Sequence, residues 1–131
     1  MSLEKNYIMN NVSYFFDTYA FIEILKGNES YRKYIGAEIV TTKLNIFELY
    51  FKIIKEKNEK VADEVFDKYF LFAKDFDEEV IKLAVKLKIE INKRDVSMTD
   101  CIGYVMAKQY DIKFLTGDDA FKDLDNVEFV K

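Results

Sequence analysis

The chain has 131 residues, of which 50% are hydrophobic and 34% are charged. This composition predicts a single domain over residues 1–131 with a substantial core. Histidine is absent and Cys101 is the only cysteine. A Ser-His-Asp triad, a histidine-ligated zinc site and an internal disulfide are therefore excluded. Any chemistry must rest on carboxylates, lysines, hydroxyls or a metal held by oxygen.

The net charge of −4 does not favour nucleic-acid binding unless basic patches or bound cations are present locally. No apolar run approaches the ~18 residues that a membrane-spanning helix needs. The first eleven residues lack the apolar core of a secretory signal, and we expect residues 1–11 to form a flexible segment. With a single cysteine, these features predict a reducing, cytoplasmic location.

Short β-prone runs alternate with helical patterns along the chain. Strands are predicted over residues 12–16, 38–41, 112–115 and 127–130. Helices are predicted over residues 18–26, 29–34, 42–58, 59–74, 77–93 and 97–110. Short strands separated by helices indicate a parallel sheet with helices on both faces. The predicted fold class is therefore α/β with a small sheet.

The helix predicted over 42–58 is strongly amphipathic. Its apolar side is predicted to carry Leu44, Phe47, Leu49, Phe51 and Ile54. Its polar side is predicted to carry Asn45, Glu48, Lys52, Lys55 and Glu56. Most of the aromatic side chains in this helix and in the next one are expected to fill the core. The same apolar segments also suggest surfaces for a partner protein.

Three aspartates stand at positions set by the predicted strands. Asp17 follows the first strand directly, and Asp118 follows the third strand. Asp100 lies in the first turn of the helix that leads into the third strand. Parallel strands end at one edge of the sheet, and ligands bind there. If the loops fold back onto this edge, the three acids can meet.

Each acid also has a purely structural interpretation. Asp17 could cap the helix that follows it. Asp100 could be a first-turn acid favoured by the helix dipole, and it could complete a capping box with Ser97. Glu48 could pair with Lys52 on the solvated side of its helix. No single acid therefore establishes a site.

The turn after the third strand offers two neighbouring aspartates. Thr116 could cap a short helix, with Asp119 three residues later as its reciprocal partner. This arrangement would give Asp119 a structural role and leave Asp118 without one. Asp118 is therefore predicted to be the acid that faces the pocket.

Taken together, the acids favour a metal site. Several carboxylates that face one cleft repel each other unless cations neutralise them. Sites made only of oxygen suit hard cations, so Mg²⁺ or Mn²⁺ is expected. Such a metal can lower the pKa of a bound water and stabilise charge on a phosphoryl oxygen. These properties outline a phosphodiester hydrolase that needs no histidine.

Three segments resemble the PIN domain family. SYFFDTYAFIEIL is similar to the first strand, first aspartate and first helix of the family. TTKLNIFELYF is similar to the helix that supplies an acidic residue, usually glutamate. SMTDCIGYVMAKQYDIKFLTGDDAF resembles the VapC type, in which an aspartate opens a helix and a strand then leads to a Thr-x-Asp-x-x-Phe element. The resemblance extends over residues 12–130.

This resemblance implies a fold, a site and a function. The fold would be a three-layer α/β/α sandwich, and the activity would be metal-dependent cleavage of RNA. The metal-binding and catalytic residues would be Asp17, Glu48, Asp100 and Asp118. The supporting residues would be Thr18, Thr116 and Asp119. Many relatives are toxins neutralised by a co-expressed antitoxin and are usually dimers, so an antitoxin partner and a homodimer are expected.

Several alternatives stay open at the level of sequence. The same fold could serve as a catalytically silent module that binds RNA or a protein partner. Candidate side chains for steering or stacking on RNA, each with an ordinary surface or core interpretation, are Lys43, Lys52, Lys55, Lys113, Tyr19 and Phe121. Gly117 also stands where many relatives place a polar or basic residue, which would weaken RNA contact at that point.

Overall fold

The computed structural model describes residues 12–91 and 95–131, in which strands and helices alternate. The strands are β1 (Ser13–Phe16), β2 (Glu38–Val40), β3 (Lys113–Thr116) and β4 (Val127–Phe129). The α-helices are α1 (Thr18–Leu25), α2 (Lys43–Glu56), α3 (Glu59–Tyr69), α4 (Glu78–Glu90) and α5 (Met98–Gln109). Short 3-10 helices cover Glu29–Tyr34, Phe70–Phe72 and Asp119–Phe121. The predicted flexible segment, 1–11, lies outside the described residues.

Each of these α-helices begins at a side chain that satisfies a free backbone N–H of the first turn. Such caps typically contribute about 1 kcal/mol each. The capping residues are Asp17, Thr42, Asn58, Asp77 and Ser97. The caps explain why the predicted helix starts agree with the observed ones within one residue. At the other end, the helix predicted over 59–74 stops at Tyr69 and continues only as a 3-10 turn.

The four strands form one parallel sheet in the order β2-β1-β3-β4. The register of the two central strands places Phe15 beside Phe114 and Phe16 beside Leu115. From β1 the chain moves outward to β2 on one side, whereas β3 and β4 extend the sheet on the other side. The carboxyl ends of β1 and β3 therefore flank a topological switch point, where open α/β sheets bind ligands.

The central strands bury side chains on both faces, because successive residues of a strand point to opposite sides. Phe15 and Phe114 pack with residues of α4 and α5. Phe16 and Leu115 pack with residues of α1, α2 and α3. Burial of each of these large side chains contributes roughly 1.5–3 kcal/mol. The sheet is thus covered on both faces, which confirms the three-layer α/β/α sandwich.

Helix α2 buries only part of the apolar side predicted for it. Its buried residues are Asn45, Ile46, Leu49 and Ile53. Phe47 and Phe51, which were expected in the core, are 73% and 62% exposed. The prediction was wrong because α2 carries two apolar stripes, and amphipathicity alone does not decide which stripe meets the sheet.

The described helices are all too short or too polar to cross a membrane. The longest of them, α2, has 14 residues, against the ~20 that a spanning helix needs.

Candidate active site at the carboxyl edge of the sheet

Asp17 joins β1 to α1 and is only 2% exposed. One carboxylate oxygen, Oδ1, accepts a hydrogen bond from the Ala20 backbone N–H at 2.8 Å. The other oxygen, Oδ2, accepts a hydrogen bond from the Thr116 hydroxyl. The capping interpretation of Asp17 is therefore confirmed, and it coexists with a link to the end of β3.

Thr116 connects the two central strands through its hydroxyl. While this hydroxyl donates to Asp17, its oxygen accepts a hydrogen bond from the Asp118 backbone N–H at 3.1 Å. Thr116 is completely buried at the last position of β3. The threonine therefore fixes Asp17 relative to the turn that carries Asp118.

The roles predicted for the two aspartates of this turn were partly wrong. The residue that caps the 3-10 helix Asp119–Phe121 is Asp118, whose Oδ1 accepts from the Ala120 backbone N–H at 3.0 Å. Asp119 is exposed, and its carboxylate lies 3.2 Å from the ammonium of Lys131. Thr116 faces Asp17 and does not pair with Asp119, because the tertiary contact between β1 and β3 takes precedence over a local cap.

Glu48 is held by a threonine of the first helix. Its Oε1 accepts a hydrogen bond from the Thr18 hydroxyl at 2.8 Å. The ion pairs found among the described residues do not include the alternative pairing of Glu48 with Lys52. Because Thr18 directly follows Asp17, this bond brings the α2 carboxylate to the carboxyl edge of β1.

Asn45 is a residue of this region that the sequence analysis assigned to the solvated side of α2. It is completely buried, and its Nδ2 donates to the Thr18 oxygen at 3.3 Å. Its Oδ1 accepts from the Thr42 hydroxyl at 2.6 Å. Thr42, Asn45 and Thr18 therefore form a chain of hydrogen bonds that ends at Glu48. The signal in the sequence was the Thr-x-x-Asn spacing at the start of the helix.

Asp100 opens α5, as predicted. Its Oδ2 accepts from the Ser97 backbone N–H at 3.2 Å, and its own N–H donates to the Ser97 hydroxyl at 3.0 Å. The capping box is thereby confirmed. Helix α5 leads back to the start of β3, so its first turn lies near the carboxyl edge of the sheet, and Asp100 is half-buried there.

The carboxylates at this edge influence each other electrostatically. The pKa of Asp17 is raised from 3.8 to about 8, mainly by burial and in part by the negative charges of Asp100 and Asp118. Hydrogen bonds from Thr116 and Ala20 oppose this rise by stabilising the charged form. Asp17 therefore lies within electrostatic range of the other two aspartates.

Asp100 responds to its neighbours in the same way. Burial raises its pKa, and the negative charges of Asp118 and Glu48 add to the increase, whereas hydrogen bonds with Ser97 lower it. The two sets of interactions link all four predicted acids. The structure therefore brings Asp17, Glu48, Asp100 and Asp118 into one electrostatic cluster.

The donor atoms of this cluster suit a hard cation. They are carboxylate oxygens supported by threonine hydroxyls, and such oxygens are the preferred ligands of Mg²⁺ and Mn²⁺. A cation would offset both the burial and the mutual repulsion that raise these pKa values. Across residues 12–91 and 95–131, however, three acids are nowhere arranged as a ready-made ligand set. Coordination of one ion would require rotation of these side chains.

Glycine is required at position 117 because the turn after β3 packs closely against its surroundings. A Cβ atom at this position would overlap the ring of Tyr19 and the carbonyl oxygen of Val130. This contact explains why the position carries glycine. Tyr19 is half-buried and packs near Tyr31, with ring centroids 6.3 Å apart.

Two of the side chains considered for RNA contact lie in unsuitable places. Phe121 is completely buried and packs against Phe114 with ring centroids 5.0 Å apart, so it cannot stack on a base. Lys113 lies at the amino end of β3, opposite the acids. Lys43 pairs with Asp75 at 3.7 Å. Lys52 and Lys55 do line a cleft with Glu48.

Comparison with known proteins relates this arrangement to a family. The family model described as PIN domain matches residues 14–127. No curated protein sequence matches the chain significantly. Solved structures, in contrast, include several with a similar fold.

Three of these structures illustrate the similarity. A toxin-antitoxin complex from Klebsiella pneumoniae contains a chain with a TM-score of 0.68 and 15% identity, over 87% of this chain and 94% of that one. VapBC2 from Rickettsia felis, bound to a DNA fragment from its promoter, contains a chain with a TM-score of 0.69 and 17% identity, over 92% of this chain and 100% of that one. A protein from Pyrobaculum aerophilum has a TM-score of 0.67 and 14% identity, over 90% of this chain and 89% of that one.

At these identities the structural matches establish the fold alone. The family match is stronger evidence, because it covers most of the chain, from the second residue of β1 to the first residue of β4. The chain therefore belongs to the PIN domain family.

Proposed function

We propose that this PIN domain is a Mg²⁺- or Mn²⁺-dependent endoribonuclease that hydrolyses phosphodiester bonds of RNA. The observation that carries the proposal is the electrostatic cluster of Asp17, Asp100, Asp118 and Glu48 at the switch point of the sheet. Gathering one buried and three half-buried acids is costly unless a cation is bound among them. Functional sites are where such costs are expected.

The side chains of the cluster have distinct roles in this proposal. Asp17, Asp100 and Asp118 would hold the cation, and Glu48 would contribute directly or through a water. A divalent cation at this point would supply Lewis acidity, which would activate water and stabilise charge on the phosphoryl oxygens. Thr116 orients Asp17 by donating to its Oδ2, and Thr18 orients Glu48 in the same way.

Cleavage of single-stranded RNA tests the proposal. With Mg²⁺ or Mn²⁺, we expect the parent protein to leave 5′-phosphate and 3′-hydroxyl ends. The variants Asp17→Asn, Asp100→Asn and Asp118→Asn should each lose at least roughly 10–100-fold in rate, since even outer partners of a metal site cost that much. EDTA should abolish cleavage by the parent.

A matched control is available on the opposite edge of the sheet. Asp111 precedes β3 in an exposed turn with a φ of 56°, a backbone conformation that asparagine adopts readily. The variant Asp111→Asn should therefore cleave RNA like the parent. If Asp17→Asn and Asp100→Asn also cleave at the parental rate, the assignment of the site is wrong.

A catalytically silent module is the second candidate function. The observation that favours it is that no three acids of the described residues already form a ligand set. A silent module would bind RNA or a protein but leave RNA intact at all concentrations of Mg²⁺ and Mn²⁺. The cleavage assay therefore separates the two functions.

A protein partner is also part of the proposal. One of the structures with this fold is described as a toxin-antitoxin complex and another as VapBC2, and we propose that this chain is the cytoplasmic toxin of a toxin–antitoxin pair. A groove of about 460 Å³ between α1, α2 and α3 could receive an apolar segment of the antitoxin. Its apolar lining consists of Ile22, Leu25, Ile53, Val61 and Val65. Co-expression with the product of an adjacent small reading frame, and relief of toxicity by it, would test this pairing.

We also propose a homodimer. Helix α4 exposes Ile81, Val85 and Ile89, and Met98 at the start of α5 is exposed near them. Apolar faces of this kind favour association. Sedimentation equilibrium of the purified protein would distinguish a dimer from a monomer.

A further inference from the structure

We propose that single-stranded RNA reaches the acids across the exposed face of α2, where Phe47 and Phe51 stack on its bases and Lys52 and Lys55 contact its phosphates. This inference rests on the proposed ribonuclease function and deepens it. It specifies which side of the acid cluster the RNA occupies and which side chains hold it there.

The four side chains form two adjacent rows on α2. Residues four apart lie one above the other on a helix, so Phe47, Phe51 and Lys55 make one row. Glu48 and Lys52 begin the neighbouring row. Together with Thr18 and Glu56, both rows line one cleft of about 490 Å³. The cleft therefore leads from the aromatic and basic side chains directly to Glu48.

The two phenylalanines are unusually accessible for residues of this type. Phe47 is 73% exposed and Phe51 is 62% exposed. The ammonium of Lys55 lies 5.9 Å from the centroid of the Phe51 ring. Exposed aromatic rings interleaved with cations are the combination that binds single strands without strict sequence preference, by stacking on bases and neutralising phosphates.

The charge on the other side of the acid cluster disfavours that side as a binding path for the RNA. An open cleft of about 540 Å³ on that side is lined by four aspartates and one alanine: Asp95, Asp118, Asp119, Asp123 and Ala120. Phosphate groups are repelled by such a surface. The α2 cleft is lined by two exposed lysines and two glutamates, so it carries less negative charge. The difference in charge between the two clefts therefore favours RNA on the α2 side.

Binding of a fluorescein-labelled single-stranded RNA, followed by anisotropy in EDTA at low salt, tests this surface without hydrolysis. The double variant Phe47→Leu/Phe51→Leu keeps apolar bulk and helix propensity but removes both rings. We expect its Kd to rise at least roughly tenfold, given typical base-stacking strengths. The double variant Phe47→Tyr/Phe51→Tyr retains both rings and should bind like the parent.

A second set of variants tests the basic side chains. The double variant Lys52→Gln/Lys55→Gln should bind more weakly and show a smaller salt dependence, because fewer counterions are released. The matched controls are Phe70→Leu, which alters an exposed phenylalanine outside the cleft, and Lys86→Gln, which alters an exposed lysine on α4. Both controls should bind like the parent.

Cleavage kinetics separate this inference from the proposed function. In the leucine double variant, KM should rise while kcat stays within a few-fold of the parent, whereas Asp17→Asn should lose kcat. RNA binding that depends on the two rings, without any cleavage, would support the surface and refute the ribonuclease.

Three results would overturn the inference. The first is a parent protein that does not bind single-stranded RNA. The second is unchanged binding in the leucine double variant, even if an alanine double variant binds more weakly, since apolar bulk would then suffice and a protein partner would fit better. The third is an unchanged salt dependence in the lysine double variant.

Discussion

At the scale of single residues, Asp17 combines a structural role with an electrostatic cost. Its carboxylate caps α1 and accepts the Thr116 hydroxyl. Burial and the neighbouring acids nevertheless raise its pKa to about 8. The folded protein therefore binds a proton at Asp17 more tightly than the unfolded chain does, and this difference links stability to pH.

The sign of this linkage gives a prediction for Asp17→Asn. Because the folded pKa is above the unfolded value of 3.8, the stabilising contribution of the protonated carboxyl is present at low pH. It is lost as the pH rises towards 8. Asparagine remains neutral throughout, so in EDTA the variant should gain on the order of 1–3 kcal/mol relative to the parent at pH 8.5.

Urea unfolding at pH 4 and at pH 8.5 measures this difference. The gain should appear at the higher pH and nearly vanish at the lower pH, where both carboxyl and amide are neutral in the folded state. The variant Asp111→Asn, in an exposed turn, should show neither effect. A destabilised Asp17→Asn protein at pH 8.5 would refute this view of the buried carboxylate.

The sequence predicted where the acids lie better than it predicted their hydrogen-bond partners. Asp17, Asp100 and Asp118 follow from their positions beside strands and helix starts, which are local features. The partners of Thr116 and Asn45 depend on contacts between distant elements, and local spacing suggested a cap for Thr116 and solvent exposure for Asn45. Which of the two neighbouring aspartates caps the 3-10 helix was likewise decided by the tertiary structure.

At the scale of elements, every strand and α-helix of the described residues was predicted, with the α-helix starts correct within one residue. Side-chain caps and alternating apolar runs are strong local signals. The buried face of α2 was predicted only in part: Leu49 is buried, whereas Phe47 and Phe51 belong to a second apolar stripe that is exposed. Only the packing of α2 against the sheet and α3 distinguishes the two stripes.

The turn after β3 is an element whose shape depends on one glycine. The substitution Gly117→Ala would place a methyl group against the Tyr19 ring and the Val130 carbonyl oxygen. We expect a loss of roughly 1–3 kcal/mol in the free energy of unfolding, as for other overpacked sites. RNA cleavage should also fall, because the same turn carries Asp118.

Thermal unfolding of Gly117→Ala and of Gly36→Ala provides the comparison. An added Cβ at Gly36 has no neighbour within 4 Å among the described residues, so this control should unfold at the parental temperature. Equal Tm values for both variants would show that the close approach at Gly117 is not required.

At the scale of the whole molecule, the strand order explains why the acids meet. Sequence patterns predicted a parallel sheet but not the order β2-β1-β3-β4, because pairing between distant strands leaves no local signal. This order places β1 beside β3 and makes their carboxyl ends a switch point. Helices α1, α2 and α5 then deliver Thr18, Glu48 and Asp100 to the same edge. The family match is consistent with this topology.

We propose that these distant carboxylates together hold one divalent cation. Calorimetric titration with Mn²⁺ at pH 7, in two buffers of different ionisation enthalpy, tests it most directly. The parent should bind Mn²⁺ saturably and release close to one proton per ion, since a carboxyl with a pKa of about 8 must ionise first. Asp111→Asn should behave identically, and Asp17→Asn should lose the binding. Absence of saturable binding in the parent, or undiminished affinity in Asp17→Asn, would show that these carboxylates do not form the metal site.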